Sequence, residues 1–307
     1  MNRWLLAIRP RTLTGAVAPV LVGLSSAYQA TGFIRPVPAL LCLLFALLMQ
    51  VNANLFNDWW DCRKGVDTDV PRIGPLRVCA AGLVSMRAML AAIVLVTLLA
   101  AAVGLGILWW SAQLSSPMPF GLSAPLLMLL VGICCLVGFA AYSTFFSRWA
   151  LGDVMVVVYY VLVPVVCTYL LQDAPSDNTL LWNRSLAMGL AADALLVVNN
   201  YRDRHGDRLV GKRTLCTLIG TRASEMLYFL LGAAAVVLSI DWWHIGDVHV
   251  LAASAILLLP YLALHNATYR KMVRINEGPG LNSVLADTAR NILILGLCVS
   301  LLSIMPG

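Results

Sequence analysis

The chain has 307 residues, of which 60% are hydrophobic and only 12% are charged. A soluble domain carries about a quarter charged residues and about half apolar ones, so this composition excludes an ordinary soluble protein. The net charge of +6 requires no nucleic-acid partner, because basic residues that flank membrane spans orient the chain and meet anionic lipid headgroups.

The apolar residues lie in long uninterrupted runs, such as 88–110 and 251–264. A bilayer core of about 30 Å takes roughly 20 helical residues to cross. Strands of a membrane barrel would alternate polar and apolar residues, and these runs do not. The sequence therefore predicts an all-α, polytopic membrane protein that forms a single domain over residues 1–307. The nine predicted transmembrane helices cover residues 12–30, 38–56, 86–110, 122–143, 150–171, 185–201, 224–241, 247–265 and 285–304.

Basic residues predict how these helices are oriented. All of the 21 lysines and arginines except Arg35 and Arg184 fall on one side of the predicted bundle, and the positive-inside rule assigns that side to the cytoplasm. The amino terminus is then cytoplasmic and the carboxyl terminus lies on the opposite side. The amino-terminal segment shows no small-residue cleavage site after a short apolar core, so we expect no removable signal peptide.

Cysteine and histidine give no sign of a metal or disulfide framework. The eight cysteines are scattered, mostly within predicted spans, and form no CxxC pair. We interpret them as small apolar residues with reduced thiols. The four histidines show no metal-binding spacing either.

One pattern occurs twice along the chain. An apolar helix ends in Asn and Asp residues, runs into a basic loop, and re-enters the membrane after a Gly and a Ser or Thr. The copies cover residues 54–85 and 199–224, and four predicted spans separate them. The repeat indicates duplication of a four-helix unit whose two acidic motifs both face the cytoplasm.

The first acidic motif follows the second predicted span and reads Asn54-Leu-Phe-Asn-Asp-Trp-Trp-Asp-Cys-Arg-Lys-Gly-Val-Asp67. Residues four apart share one face of a helix. Asn57 and Asp61 therefore line one stripe, with Asn54 and Asp58 close beside it.

The second motif follows the sixth predicted span and reads Asn199-Asn-Tyr-Arg-Asp-Arg-His-Gly-Asp207. The same spacing places Asn199, Asp203 and Asp207 on one stripe at successive turns. Asn200 lies beside that stripe.

Clustered carboxylates at a bilayer edge are costly unless a cation compensates them. The candidate ligands are all oxygen donors, which favours Mg²⁺ or Ca²⁺. Mg²⁺ commonly takes one or two protein carboxylates and completes its shell with water and substrate phosphate, so two facing motifs suit one or two ions and a diphosphate. Helix capping is the structural alternative for any single Asp. The basic residues that suit the anion are Arg63, Lys64, Arg72, Arg77, Lys212 and Arg213.

The motifs together resemble the UbiA superfamily of intramembrane aromatic prenyltransferases. The resemblance rests on Asn57-Asp58-x-x-Asp61-x-x-x-Gly-x-Asp67, on the Arg72–Arg77 segment, and on the second motif with its tail through Lys212-Arg213-Thr-Leu. Arg9-Pro-Arg-Thr-Leu13 and Ala150-Leu-Gly-Asp153 match as well. The branch that resembles this chain most makes menaquinone by prenylating 1,4-dihydroxy-2-naphthoate.

The resemblance implies a nine-helix bundle around a central cavity, Mg²⁺ as cofactor, and a prenyl diphosphate and an aromatic acid as substrates in a bacterial inner membrane. It assigns catalysis and Mg²⁺–diphosphate binding to Asn57, Asp61, Asp203 and Asp207, with Asn199 as a further metal ligand. The implied substrate-binding residues are Asp58, Asp67, Arg72, Arg77, Asn200, Lys212 and Arg213, with Asp153 and Tyr142 near the acceptor and the allylic cation.

Several alternatives remain open at this stage. The chain departs from the family at Asp193, which is either an acid or base for the acceptor or a buried contact between helices, the contact being favoured. A sister enzyme that uses 4-hydroxybenzoate or homogentisate is one rival function. A transporter is another, although transporters place their charged site near mid-membrane, whereas these motifs lie at one face. The oligomeric state stays open.

Overall fold

The computed structural model describes residues 2–64, 74, 77–146, 149–241 and 248–305. Within these ranges the chain is helical and contains no strand. Eleven helices organise the molecule: α1 Arg3–Ile8, α2 Thr14–Thr31, α3 Pro36–Lys64, α4 Met86–Ser111, α5 Ala124–Thr144, α6 Gly152–Leu170, α7 Thr179–Leu209, α8 Leu215–Ile219, α9 Thr221–Ser239, α10 Val248–Ile275 and α11 Leu281–Ile304.

The predicted all-helical membrane fold is confirmed. Eight of the described helices, α3–α7 and α9–α11, are long and apolar enough to cross a membrane. Large apolar side chains such as Leu98 and Leu105 are exposed on α4, as a lipid-facing surface requires. The first predicted span, 12–30, corresponds to α2, which is not among these eight, and the count of nine spans therefore stays a prediction.

Helix α2 packs against protein along much of its length. Its buried face is rich in glycine, alanine and serine, the small residues that let neighbouring helices approach closely. A Cβ added to Gly296 of α11 would lie 2.8 Å from the Cβ of Ala18, and one added to Gly23 would lie 2.6 Å from the carbonyl oxygen of Val165. Helix α6 forms a π-helical stretch over Val161–Cys167 around Pro164, whose ring nitrogen has no hydrogen to donate.

The described parts of both acidic motifs, residues 54–64 and 199–207, lie on the carboxyl-terminal turns of unusually long helices. Helix α3 has 29 residues and α7 has 31, which at 1.5 Å per residue gives lengths of about 43 and 46 Å. A hydrocarbon core of about 30 Å leaves the last turns of each helix beyond its edge. The described residues of the two motifs, 54–64 and 199–207, are helical, and they lie where water, ions and charged substrates have access.

Candidate active site

A cavity of about 1120 Å³ lies between the helices. Residues of both motifs line it, so the two copies of the repeat contribute to a single space. The structure brings ten of the sequence-predicted site residues to its wall: Asn57, Asp61, Arg77, Tyr142, Asp153, Asn199, Asn200, Asp203, Asp207 and Lys212.

The first motif presents Asn57 and Asp61 on one stripe of α3. The hydroxyl of Ser143, on α5, donates a hydrogen bond to the side-chain oxygen of Asn57. Asp61 forms an ion pair with the guanidinium of Arg77, which precedes α4 and is 9% exposed. Asp61 is thus held by a cation from the same copy of the repeat, residues 54–85.

Asn54 and Asp58, on the neighbouring stripe of α3, form hydrogen bonds with other segments of the chain. The buried carboxylate of Asp58 accepts hydrogen bonds from the backbone N–H groups of Val78 and Cys79, at 3.0 and 3.1 Å. Asn54 donates to the carbonyl of Ile8 and to the hydroxyl of Thr12, both at 2.8 Å. Asp58 was predicted to bind substrate, yet it is not among the residues that line the cavity. Burial first, and then the charge of Asp58, raise the pKa of the Cys79 thiol to about 12, so this thiol is protonated at neutral pH.

The second motif is organised around a buried arginine. Arg202 donates from Nε and Nη2 to the two carboxylate oxygens of Asp203, at 2.8 and 2.6 Å. It also donates to Asn199 at 2.8 Å and to Asn282 of α11 at 3.0 Å. Two planar, parallel hydrogen bonds fix a carboxylate in orientation as well as in position. Arg202 therefore sets the direction in which Asp203 and Asn199 face the cavity.

Asp207, the last residue of the second stripe, forms an ion pair with Lys212. The ammonium of Lys212 lies 3.3 Å from each carboxylate oxygen. The chain reverses between them at Gly211, whose φ of +70° is unfavourable for residues with a side chain. Lys212 can therefore fold back over the last turn of α7.

The remaining predicted residues lie elsewhere. Arg213 does not line the cavity, and its guanidinium lies 6.0 Å from the centre of the Trp149 ring. Asp67 and Arg72 fall outside the described residues, so their predicted roles stay predictions.

The donor set fits a hard divalent cation. The described residues contain no group of three or more His, Cys, Asp or Glu side chains close enough to enclose a metal by themselves. Each motif instead offers carboxylates beside an amide oxygen, and Mg²⁺ characteristically takes one or two carboxylates and completes its shell with phosphate and water. The nearby cations, Arg77 and Lys212, supply the charge that an anionic substrate needs.

Three residues of the site were given no role in it from the sequence. Arg202 was counted only as an orienting charge, although its position three residues after Asn199 places both on one helix face. Ser143 gave no local signal, because its partner Asn57 is 86 positions away. Arg9 lines the cavity with a φ of +54°, next to Pro10.

Comparison with known proteins agrees with this geometry. The model of the UbiA prenyltransferase family matches residues 16–277. The chain belongs to the UbiA prenyltransferase family. It is therefore a multi-pass membrane prenyltransferase, and this membership decides against the transporter that the sequence alone left open.

Two UbiA relatives carry the same name. The chain is 30% identical over 295 residues to 1,4-dihydroxy-2-naphthoate octaprenyltransferase of Escherichia coli, with 96% of this chain and 92% of the relative covered. It is also 30% identical over 270 residues to the Haemophilus influenzae protein of that name, covering 86% and 84%.

Solved UbiA structures share the fold. A UbiA homolog from Archaeoglobus fulgidus bound to GPP and Mg²⁺ superposes with a TM-score of 0.64 at 15% identity, covering 97% of this chain and 99% of the other. The apo structure of a UbiA homolog from Aeropyrum pernix K1 gives 0.66 at 15% identity, covering 95% and 97%.

Proposed function

We propose that this prenyltransferase moves a polyprenyl group from a prenyl diphosphate to 1,4-dihydroxy-2-naphthoate, releasing diphosphate and CO₂. One observation carries the proposal: carboxylates from two distant motifs line one cavity, and each is paired with a basic side chain. Such a site suits a cation and a polyanion together. The shared name of the two bacterial relatives supports this acceptor.

Residues from both stripes would bind the diphosphate end of the prenyl donor. Asn57 and Asp61 on α3, and Asn199, Asp203 and Asp207 on α7, are the residues that would hold Mg²⁺. Bound Mg²⁺ supplies Lewis-acid charge that stabilises the departing diphosphate. Arg77 and Lys212 turn from their carboxylate partners to the phosphate oxygens and stabilise the same charge.

The deeper part of the cavity suits the prenyl chain. Its wall there includes Ala46, Met49, Val156, Leu195 and Ala289. An apolar lining accommodates an isoprenoid and excludes the water that would capture an allylic cation. The electron-rich ring of the acceptor then attacks the allylic carbon, and loss of the ring carboxylate as CO₂ restores aromaticity.

The position of the motifs supports a reaction at the inner face of a bacterial cytoplasmic membrane. Both motifs lie on the side of the bundle that carries nearly all of the lysine and arginine residues, which the positive-inside rule assigns to the cytoplasm. Water-soluble diphosphate would then leave into the cytoplasm.

The test compares Asp61→Asn and Asp203→Asn with the parent protein in reconstituted membranes. We expect Mg²⁺-dependent prenyl transfer to fall by about 100-fold or more in each, because a charged ligand is lost without a change of shape. Asp177→Asn, on an exposed carboxylate outside the cavity, is the matched control and should leave turnover unchanged. Parental turnover in both motif variants would refute the proposed site.

The acceptor is tested separately. Purified protein receives Mg²⁺, a prenyl diphosphate and equal amounts of 1,4-dihydroxy-2-naphthoate, 4-hydroxybenzoate and homogentisate, and products are identified by mass spectrometry. We expect the decarboxylated naphthol product to dominate. A dominant prenylated benzoate or homogentisate product would reassign the acceptor and leave the diphosphate site intact.

A further inference from the structure

Two buried carboxyl groups lie in contact outside the acidic motifs. Asp153 is in the first turn of α6, is 7% exposed, and lines the cavity. Asp193 is in the middle of α7 and is 4% exposed. The carboxyl groups of Asp153 and Asp193 are hydrogen-bonded to each other.

This pair differs from the motif carboxylates in its partners. Asp61, Asp203 and Asp207 each face an arginine or lysine, whereas within the described residues neither Asp153 nor Asp193 forms an ion pair. The Oδ1 atom of each is buried and has no hydrogen-bond partner. A buried acceptor left unsatisfied costs about 1–3 kcal/mol. Asp153 is the member of the pair that lines the cavity, so its carboxylate is suited to a donor from a ligand.

The charge of the pair defines what that ligand can be. A hydrogen bond between two carboxyl groups requires a proton on one of them, so the pair carries a single negative charge. A monoanion repels the carboxylate of an aromatic acid and the phosphates of a prenyl donor. It accepts a hydrogen bond from a neutral hydroxyl group.

We propose that the Asp153–Asp193 pair is the binding site for a ring hydroxyl of the aromatic acceptor. Asp153 contacts the hydroxyl, and Asp193 is a positioning residue that holds Asp153 through their hydrogen bond. The proposal rests on the prenyl transfer proposed above and adds the group that orients the acceptor within the cavity.

The pair also provides a temporary acceptor for the hydroxyl proton that is released during the reaction. As the allylic C–O bond breaks and the ring carbon bonds to the allylic carbon, the hydroxyl O–H bond breaks and its proton passes to the Asp153 carboxylate. The O–H electron pair becomes the second bond of a ring carbonyl. When the ring carboxylate leaves as CO₂, its bonding pair returns to the ring, and Asp153 returns the proton to the oxygen. No net proton is gained or lost.

Equilibrium binding tests the pair without turnover. The full-length protein is saturated with Mg²⁺ and a non-ionising prenyl diphosphate analogue, and the Kd values of 1,4-dihydroxy-2-naphthoate and its two mono-O-methyl ethers are compared. We expect the parent to prefer the free hydroxyl over one ether by about 10–100-fold, as for a hydrogen bond to a charged group. Asp153→Asn keeps only a neutral amide oxygen as acceptor, so the preference for the free hydroxyl should shrink to about 2–5-fold.

Variants of Asp193 separate positioning from simple packing. In Asp193→Asn the amide still donates to Asp153, so the hydroxyl preference should survive. Asp193→Leu fills similar space without a donor, and the preference should be lost. In both, the Kd of the prenyl diphosphate analogue should match the parent, which shows that the protein is folded.

The outcomes distinguish this proposal from the proposed function. Full hydroxyl preference in Asp153→Asn, or equal loss in Asp193→Asn and Asp193→Leu, would overturn the hydroxyl site while leaving prenyl transfer intact. Loss of prenyl diphosphate affinity in Asp153→Asn would overturn it too, because the pair would then serve the donor site. Failure of the parent to transfer a prenyl group at all would refute the proposed function, whatever these binding ratios are.

Discussion

The buried guanidinium of Arg202 donates two hydrogen bonds to the carboxylate of Asp203, the next residue along helix α7. The same group donates to Asn199 and to Asn282 of α11. A compact lysine ammonium cannot match this planar, forked geometry. Arg202 thus links the second motif to the last helix of the bundle.

Replacing Arg202 by lysine should weaken the site while keeping its charge. We expect Arg202→Lys to lower apparent Mg²⁺ affinity and prenyl transfer by about 10–100-fold, the usual effect of removing a residue that orients metal ligands. Mg²⁺ titrations of binding and of transfer measure it. Arg208→Lys, on the exposed end of the same helix, is the control, and an Arg202→Lys protein with parental Mg²⁺ affinity would contradict the orienting role.

Replacing Arg77 should change the affinities for Mg²⁺ and for the prenyl diphosphate in opposite directions. Its guanidinium pairs with Asp61, so Arg77→Gln removes a competitor of Mg²⁺ and should make Mg²⁺ alone bind more tightly. The same change removes a cation for the phosphates, and the prenyl diphosphate should bind about 10–100-fold more weakly. Isothermal titration of each ligand, with Arg87→Gln as control, measures the two Kd values. If both Kd values moved in the same direction, the prediction of opposite effects would be wrong.

Asp58 should act on stability rather than on ligand binding. In Asp58→Asn one oxygen is replaced by an amide donor, which leaves the N–H of Val78 or Cys79 without an acceptor. We expect the free energy of unfolding to fall by about 1–3 kcal/mol, measured by denaturant titration in detergent. The Kd for Mg²⁺ in the folded protein should be unchanged, and a large rise in that Kd would instead support the predicted substrate contact.

Asp173 should make stability depend on pH at the opposite end of the bundle. Burial raises the pKa of its carboxyl, but hydrogen bonds from Ser116 and Ser115 and the charge of Arg35 outweigh this, and the net pKa is lowered. A carboxyl with a lowered pKa stabilises the fold above its unfolded value of about 3.9, and the stabilisation is lost as the pH falls through the folded value.

Asp173→Asn isolates this contribution. Asparagine keeps an oxygen for the Ser115 and Ser116 N–H groups and removes the charge that faces Arg35. We expect the parent to melt at a higher temperature than the variant above pH 5, and the difference to shrink as the pH falls below about 4. A difference in Tm that is constant from pH 3 to pH 7 would show that the ionised carboxylate contributes nothing.

The contact between α2 and α11 should tolerate no added methyl group. Because a Cβ on Gly296 would lie 2.8 Å from that of Ala18, Gly296→Ala forces the two helices apart. We expect a loss of about 1–3 kcal/mol in unfolding free energy. Gly132→Ala in α5, whose Cβ would meet nothing within 4 Å, should be neutral or slightly stabilising. Equal stability of the two variants would refute close packing at α2.

Much of the fold was predictable because the bilayer constrains sequence strongly. Long apolar runs predict helices, and eight of them are present. Helices α3, α7 and α10 continue past the predicted ends at residues 56, 201 and 265 to Lys64, Leu209 and Ile275, because polar residues that extend a helix beyond the bilayer carry no apolar signal. Helix α2 was harder to classify, since packing against protein allows small and polar residues where a lipid-facing helix needs large apolar ones. Its predicted range of 12–30 nevertheless agrees with Thr14–Thr31.

The site was predictable where helical spacing alone decides which residues share a face. Asn57 and Asp61, and Asn199, Asp203 and Asp207, could be grouped in this way, and they line one cavity. Contacts between distant segments could not be read from spacing. The hydrogen bonds from Val78 and Cys79 to Asp58, and the pairing of Asp153 with Asp193, depend on how separate helices and loops pack in three dimensions.

The cavity draws its wall from both ends of the chain, since Thr12 near the start and Asn282 near the finish both contribute. Asn282 also receives a hydrogen bond from Arg202. During synthesis, the second motif is therefore complete only after the last helix has inserted and docked. A partly translated protein therefore holds the acidic side chains without the complete cavity wall.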